Sequence, residues 1–462
     1  MTRSASRPSA SAQMSAWSAP LLAQARRLVT TSSLLSLARM AGALAGFILQ
    51  VVLARTLHAT ALGVFYSVTS LAAVVGLIAA HGYPTIAPRF VSRYREQGKP
   101  GLIAAFVARA RKDATVYAAV ITVAVLAIAA LLPSLSLEVR LATAAAALSI
   151  PANASLRLNG SLAVAIRRFA LAYLPDTCIR PFVLLGGVLI LIGAGVTLTA
   201  ANVTLLLTLV FSGLALTQYL LLRKDIPKVE SVAKAVPPRL VSIWRREAKP
   251  LILVALFTFF FADVDILIVT PLLPSADTAI VGLCLKLALL VGFAVQVAHQ
   301  VVVPDLADAH ARKEHGAIRD VVLRALAFPL AVTVAALVIV GLWGETLLSL
   351  FGPEFAGAKI PLLILLACQL ARALFGPNVP LLTVIGAQRQ NAALAVAALV
   401  VLAISNVVLA PAYGVLGAAL AVAIATLFWL AATSVVLARL SGLRTDAVYL
   451  LGRFVSARQA PA

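Results

Sequence analysis

Charge is scarce in this chain. Only 12% of its 462 residues are charged, where an average globular domain has roughly a quarter. Acids are scarcer than bases, with 17 Asp and Glu against 38 Lys and Arg, for a formal net charge of +21. Cysteine is nearly absent. Cys178, Cys284 and Cys368 all fall inside apolar runs, without metal-ligand spacing or a framework of paired loop cysteines, so they read as small packing residues. Aromatics make up 6%, and no segment alternates apolar with polar residues, which excludes an outer-membrane β-barrel. No G-x-x-x-x-G-K-[ST] loop is present, so no ATP site is expected. No loop is long enough for a catalytic domain. These absences argue against an enzyme, and no cofactor or metal is expected.

What is abundant is apolar sequence. Hydrophobic residues make up 62% of the chain, and the mean hydropathy is +1.01. A soluble fold would leave too much of this surface in water. The runs are about 18–25 residues long, which suits helices crossing a hydrocarbon core. Candidate spans lie at about 32–54, 60–82, 115–133, 141–158, 171–193 and 197–222, then at 250–272, 277–303, 321–343, 358–382, 391–410 and 413–438. The fold class is therefore an all-α polytopic membrane protein with about twelve transmembrane helices in two six-helix lobes. The expected organisation is a tail at 1–30 with a short interfacial helix rather than a signal peptide, lobes at 31–222 and 250–438, a charged linker at 223–249 and a tail at 439–462.

The chain also repeats itself. Gly63 leads an apolar stretch ending at Pro84, and about 220 residues later Gly282 leads one ending at Pro304. Gly195-Val196 corresponds to Gly414-Val415, and the break at 165–169 corresponds to that at 386–390. An even number of spans per half gives a parallel repeat, with a substrate site expected between the copies.

Basic residues fall in alternate loops. Arg89 to Lys112, Arg167 and Arg168, Arg223 to Lys249, and Arg312 to Arg324 lie on one side, while the other side holds little beyond Arg55, Arg140 and Lys359. The positive-inside rule then places both termini in the cytoplasm. Dispersal over many loops, rather than one basic surface, argues against nucleic acid. Anionic headgroups of the phospholipid bilayer are the expected partners of these charges.

Charges at membrane depth are costly and mark cavities or partners. Arg39, Arg180, Lys286 and Arg372 are the cationic candidates for substrate binding, and Asn378 follows the Gly376-Pro377 break beside Arg372. Arg372 next to a broken helix is the strongest cavity candidate. Arg157 sits at the end of its span and reads as snorkelling. Asp176, Asp263 and Asp265 are candidates for ion coupling. Asp176 and Arg180 share one helix face between Pro175 and Pro181, as either a self-neutralising pair at a kink or a cavity pair. Asp263 and Asp265 lie about 200° apart and so do not serve one site together. Gly63, Pro84, Gly282 and Pro304 read as packing and bending residues, and His81 as an interfacial histidine.

Three stretches carry a family resemblance: Val52–Leu57 with Ala61–Ser67, Leu350–Phe355, and Asn406–Ala419. They resemble Wzx-type polysaccharide flippases, of the superfamily that also holds multidrug and lipid II exporters. The resemblance implies a V-shaped, MATE-like pair of lobes around a central cavity. It also implies transport of a polyprenyl-pyrophosphate-linked oligosaccharide for polysaccharide biosynthesis, alongside polymerase and assembly proteins. Buried Arg and Lys suit a pyrophosphate. The alternatives are a multidrug/cation antiporter on the same fold and a non-transporting membrane scaffold. Arg39, where antiporters often carry an acid, argues against the first. Intramembrane cations in both lobes argue against the second.

Overall fold

The computed structural model describes residues 10–442 except 134, 228–236, 303–304, 307, 309–311 and 313–314. Pro304, residues 1–9 of the leading tail and residues 443–462 of the trailing tail lie outside these residues. Every regular element described is helical. In the first half these are α1 (Ala10–Ala79), α2 (Tyr83–Glu96), α3 (Pro100–Leu131), α4 (Leu137–Ala165), α5 (Phe169–Leu174), a π-helical turn (Pro175–Ile179), α6 (Arg180–Gly193) and α7 (Ala200–Leu222). In the second half they are α8 (Pro238–Val269), α9 (Ser275–Val301), α10 (His315–Ser349), a 3₁₀ turn (Pro353–Ala358), α11 (Lys359–Phe375), α12 (Asn378–Val384) and α13 (Gln388–Ser441).

Two long helices each hold two spans. α1 breaks at His58, with φ 58°, and α13 breaks at Gly414, with φ 57°. The short interfacial helix expected before the first span is not separate, because the backbone stays helical from Ala10. Eight stretches among the described residues are long and apolar enough to cross a membrane, or nine with the bent α8, whose parts 239–256 and 261–269 meet at 69°. Counting α1 and α13 twice and adding the 29-residue, more polar α4 gives about twelve crossings. The outward faces carry bare leucines and isoleucines, with Leu131 and Ile190 exposed at 78% and 72%, as befits a surface solvated by lipid tails.

Helix α4 is the hub of the first half and packs against α1, α2, α3 and α7, while α11 packs against α9, α10 and α13 in the second. Alanines dominate these contacts: Ala142, Ala146, Ala147 and Ala154 on α4 are all buried. Small side chains let helices approach closely where no hydrophobic effect drives them together. The halves meet mainly through α1 against α8 and α9.

The charge-poor face is closed. Gly63 packs on the carbonyl of Ser275, leaving no room for a side chain, and Gly282 packs on the ring of Tyr66. The hydroxyls of Ser67 and Thr270 lie 2.9 Å apart. The few cations here serve helix ends: Arg55 donates to the Leu350 carbonyl at 2.7 Å, and Arg140 to those of Ala129 and Ala130 at 3.1 and 2.6 Å.

The basic face is held by a polar knot. Asp113 of α3 accepts from Tyr83 at 2.7 Å and from both nitrogens of the Arg245 fork at 2.9 Å, with Arg109 at 3.1 Å. Beside it, Trp244 donates to the Tyr94 hydroxyl at 2.9 Å. Gly82, in the left-handed region at φ 72°, approaches the carbonyl of Ala248 too closely for any side chain. His81 stacks on Tyr117 with centroids 4.5 Å apart. The leading turns of α8 are thereby fastened to the first half.

Candidate functional site

Two adjoining cavities of about 460 and 310 Å³ share Gly46, Gln50, Asp176, Arg180, Pro181 and Lys286, and so form one hollow. The larger lies among α1, α4, α6 and α7, and Asp263 of α8 and Lys286 of α9 complete its wall. The smaller lies between α1, the π-helical turn and α9, and it carries Arg39 and Phe293. Leu289 and Leu290 at its edge are exposed at 46% and 41%, so this end of the hollow faces the lipid side of the α1–α9 seam.

Local sequence explains the geometry. Pro181 has no N–H to give the carbonyl of Thr177 four residues earlier, and the helix widens there into its π-helical turn. Gly42 of α1 lies against that carbonyl, where any side chain would collide. The widened turn is thus pressed onto α1 with Asp176 and Arg180 beside the hollow, paired at 3.2 Å.

Aromatic faces hold the cations. The Arg39 guanidinium lies 5.0 Å from the Phe293 ring centroid and 5.4 Å from that of Tyr173. Arg180 lies 5.4 Å from Phe211, and the Lys286 ammonium 4.8 Å from Tyr66. These distances are within cation–π range, and they position a charge without neutralising it. Tyr66 in turn donates to Gln50 Oε1 at 2.6 Å, and Ser70 donates to Asp263 at 2.9 Å. Arg157 also lines the larger cavity. Its place at the end of a span suggests snorkelling, but Ser149, Asn153 and Arg157 recur every four residues on one face of α4, and that polar stripe signals an inward face. Four cations, Arg39, Arg157, Arg180 and Lys286, therefore meet two carboxylates, Asp176 and Asp263, in one hollow. The lining therefore carries a net charge of +2.

The other candidates lie elsewhere. Arg372, expected beside Arg39 and Lys286, does not line the hollow; its guanidinium donates to Gln369 at 3.3 Å. Gln369 itself packs against Gly292 of α9. The hollow is cut mostly from the first half, so a central position on α11 does not reach it. Asn378 is buried just past Gly376, where φ is 73° and the helix breaks, and it too is outside the lining. Asp265 is fully buried inside the second half and accepts from Asn406 at 2.7 Å. Asp263 and Asp265 thus face different surroundings.

Comparison with solved structures identifies the architecture. The fold is similar to that of the lipid II flippase MurJ in an inward closed conformation, with a TM-score of 0.69, 14% identity and 93% of each chain covered. It is also similar to an inward-facing multidrug resistance MATE family transporter of the MOP superfamily, with a TM-score of 0.60, 15% identity, and 87% of this chain and 95% of the other covered. A third match is a MOP superfamily transporter from Pyrococcus furiosus, described as having a binding pocket of reverse polarity, with a TM-score of 0.54, 13% identity, and 92% and 96% covered. No family model matches the chain, and no curated protein does. The protein is a multi-pass membrane protein with a MATE-like fold.

Proposed function

We propose that this protein is a flippase that moves a polyprenyl-pyrophosphate-linked oligosaccharide across the bacterial inner membrane by alternating access. The observation that carries the reading is the convergence of Arg39, Arg157, Arg180 and Lys286, from both halves, on one hollow. A pyrophosphate cannot cross hydrocarbon bare, and several desolvated cations replace its water with charge-assisted bonds. The excess of two positive charges suits an anionic cargo rather than the cations an antiporter would export. The hollow meets lipid at the α1–α9 seam, where a polyprenyl tail can remain in the bilayer while the headgroup enters. On this reading the basic face is cytoplasmic, and the closed charge-poor face is the outer gate of a state loaded from within. Asp265 with Asn406 is the ion-coupling candidate, buried apart from the cargo.

The test is a strain lacking this protein. Lipid-linked oligosaccharide stranded on the cytoplasmic leaflet, cleared when the protein is restored, is the expected result. Normal outward delivery without the protein would refute the proposal. Retained cationic drugs in that strain, with oligosaccharide delivered normally, would favour the antiporter.

A further inference from the structure

A second cavity, of about 870 Å³, lies on the basic face at the seam of α3 and α8 and is separate from the hollow. Its lining contains four cations, Arg109, Arg245, Arg246 and Lys249, with Ser242 and Pro250, and no carboxylate. Asp113 engages Arg109 and Arg245 from behind. Arg246 and Lys249 form no ion pair among the described residues. The positive-inside rule accounts for basic residues on this side, but not for four of them converging on one cavity. The chemistry that fits is a phosphate group.

The position chooses its source. Lys249, Pro250 and Leu253 lie three, four and seven residues after Arg246 along the 239–256 part of α8, and so share a face. Leu253 is 44% exposed and opens the apolar stretch 251–256. Two cations followed by a bare leucine on one helix face match a headgroup followed by its acyl chain. We propose that this cavity binds the phosphate of an anionic phospholipid, with Arg246 and Lys249 as its principal ligands. A bound phosphate brings negative charge to the place where α8 is tied to the first half, and so reinforces Arg109 and Arg245 in their common position on Asp113.

The test uses the full chain, purified and delipidated in detergent. Binding of a short-chain phosphatidylglycerol, of phosphatidylcholine and of inorganic phosphate is titrated against wild type, R246Q/K249Q and R246K/K249R. Neither position contacts the hollow, and both side chains are exposed, so folding should be unaffected. Phosphatidylglycerol should bind wild type saturably. R246Q/K249Q should weaken that binding about twenty-five-fold, at roughly one factor of five for each cation removed, and R246K/K249R should restore it. Equal affinity in wild type and R246Q/K249Q would overturn the site. Equal binding of phosphatidylcholine would overturn its selectivity for anions. Inorganic phosphate binding as tightly as the lipid, with the same dependence on Arg246 and Lys249, would overturn the lipid as its source. The outcome does not depend on what the hollow transports.

Discussion

Lys286, from the second half of the chain, rests on the ring face of Tyr66 from the first, with its ammonium 4.8 Å from the ring centroid. The same ring fills the space left by Gly282, one turn earlier on α9, and its hydroxyl is tied to Gln50 at 2.6 Å. One residue therefore packs the seam between the halves and presents the second half's cation to the hollow.

Lys286→Gln should reduce export by about tenfold or more, the value of one lost charge-assisted contact, at unchanged protein level. Tyr66→Phe keeps the ring and should stay near wild type, whereas Tyr66→Leu should fall between the two. The check is surface polysaccharide normalised to membrane-embedded protein. Full export by Lys286→Gln would take this residue out of the site.

Arg39→Ala and Arg372→Ala should part company. Arg39 lines the hollow, while Arg372 is directed at Gln369. The first should abolish export; the second should leave most of it at equal expression. The reverse order would mean that the cargo rests on α11 instead.

Asp265→Asn keeps the volume of the side chain and a partner for Asn406 but removes the charge. If this carboxylate couples an ion to transport, the variant should lose the dependence of export on pH or sodium while keeping its thermal stability. A profile superimposable on wild type would remove Asp265 from coupling.

Gly63→Val places a side chain against the carbonyl of Ser275. Overpacking of this kind costs about 1–3 kcal/mol and is relieved by parting the seam. A cysteine at Ser67, whose hydroxyl now meets Thr270, should then react faster with a membrane-impermeant thiol reagent added from outside. An unchanged rate would mean that the gate closes elsewhere.

Asp113→Ala strands the fork of Arg245 and the hydroxyl of Tyr83. Loss of the shared acceptor should cost about 1–3 kcal/mol, read as a lower unfolding temperature in detergent. Asp113→Asn, which keeps an acceptor, should lose less.

The sequence made the membrane fold legible because apolar run length and loop charge are one-dimensional properties. The breaks at His58 and Gly414 fall where the runs divide, and Gly376-Pro377 marks one inside a run. Arg39, Arg180 and Lys286 stood out because a charge inside an apolar run is visible by itself. Arg157 was misread because end-of-span arginines usually snorkel, and only its company with Ser149 and Asn153 reveals an inward face. Arg372 is a different case, since it does not line the hollow. Membrane depth can be counted along a helix, but which neighbour a helix turns toward depends on packing, and Gln369 with Gly292 decides it here. Nothing in the local sequence announces that the hollow belongs mostly to one half.

That lopsided ownership has a mechanical consequence. Three of the four cations around the hollow, Arg39, Arg157 and Arg180, ride on the first half, and Lys286 alone rides on the second. Any swing that draws the halves apart takes the fourth away, together with Asp263, and leaves three positive groups facing Asp176. On the proposed function, the grip on a doubly charged guest loosens through the same movement that uncovers it, and a carrier built this way lets go without a separate trigger.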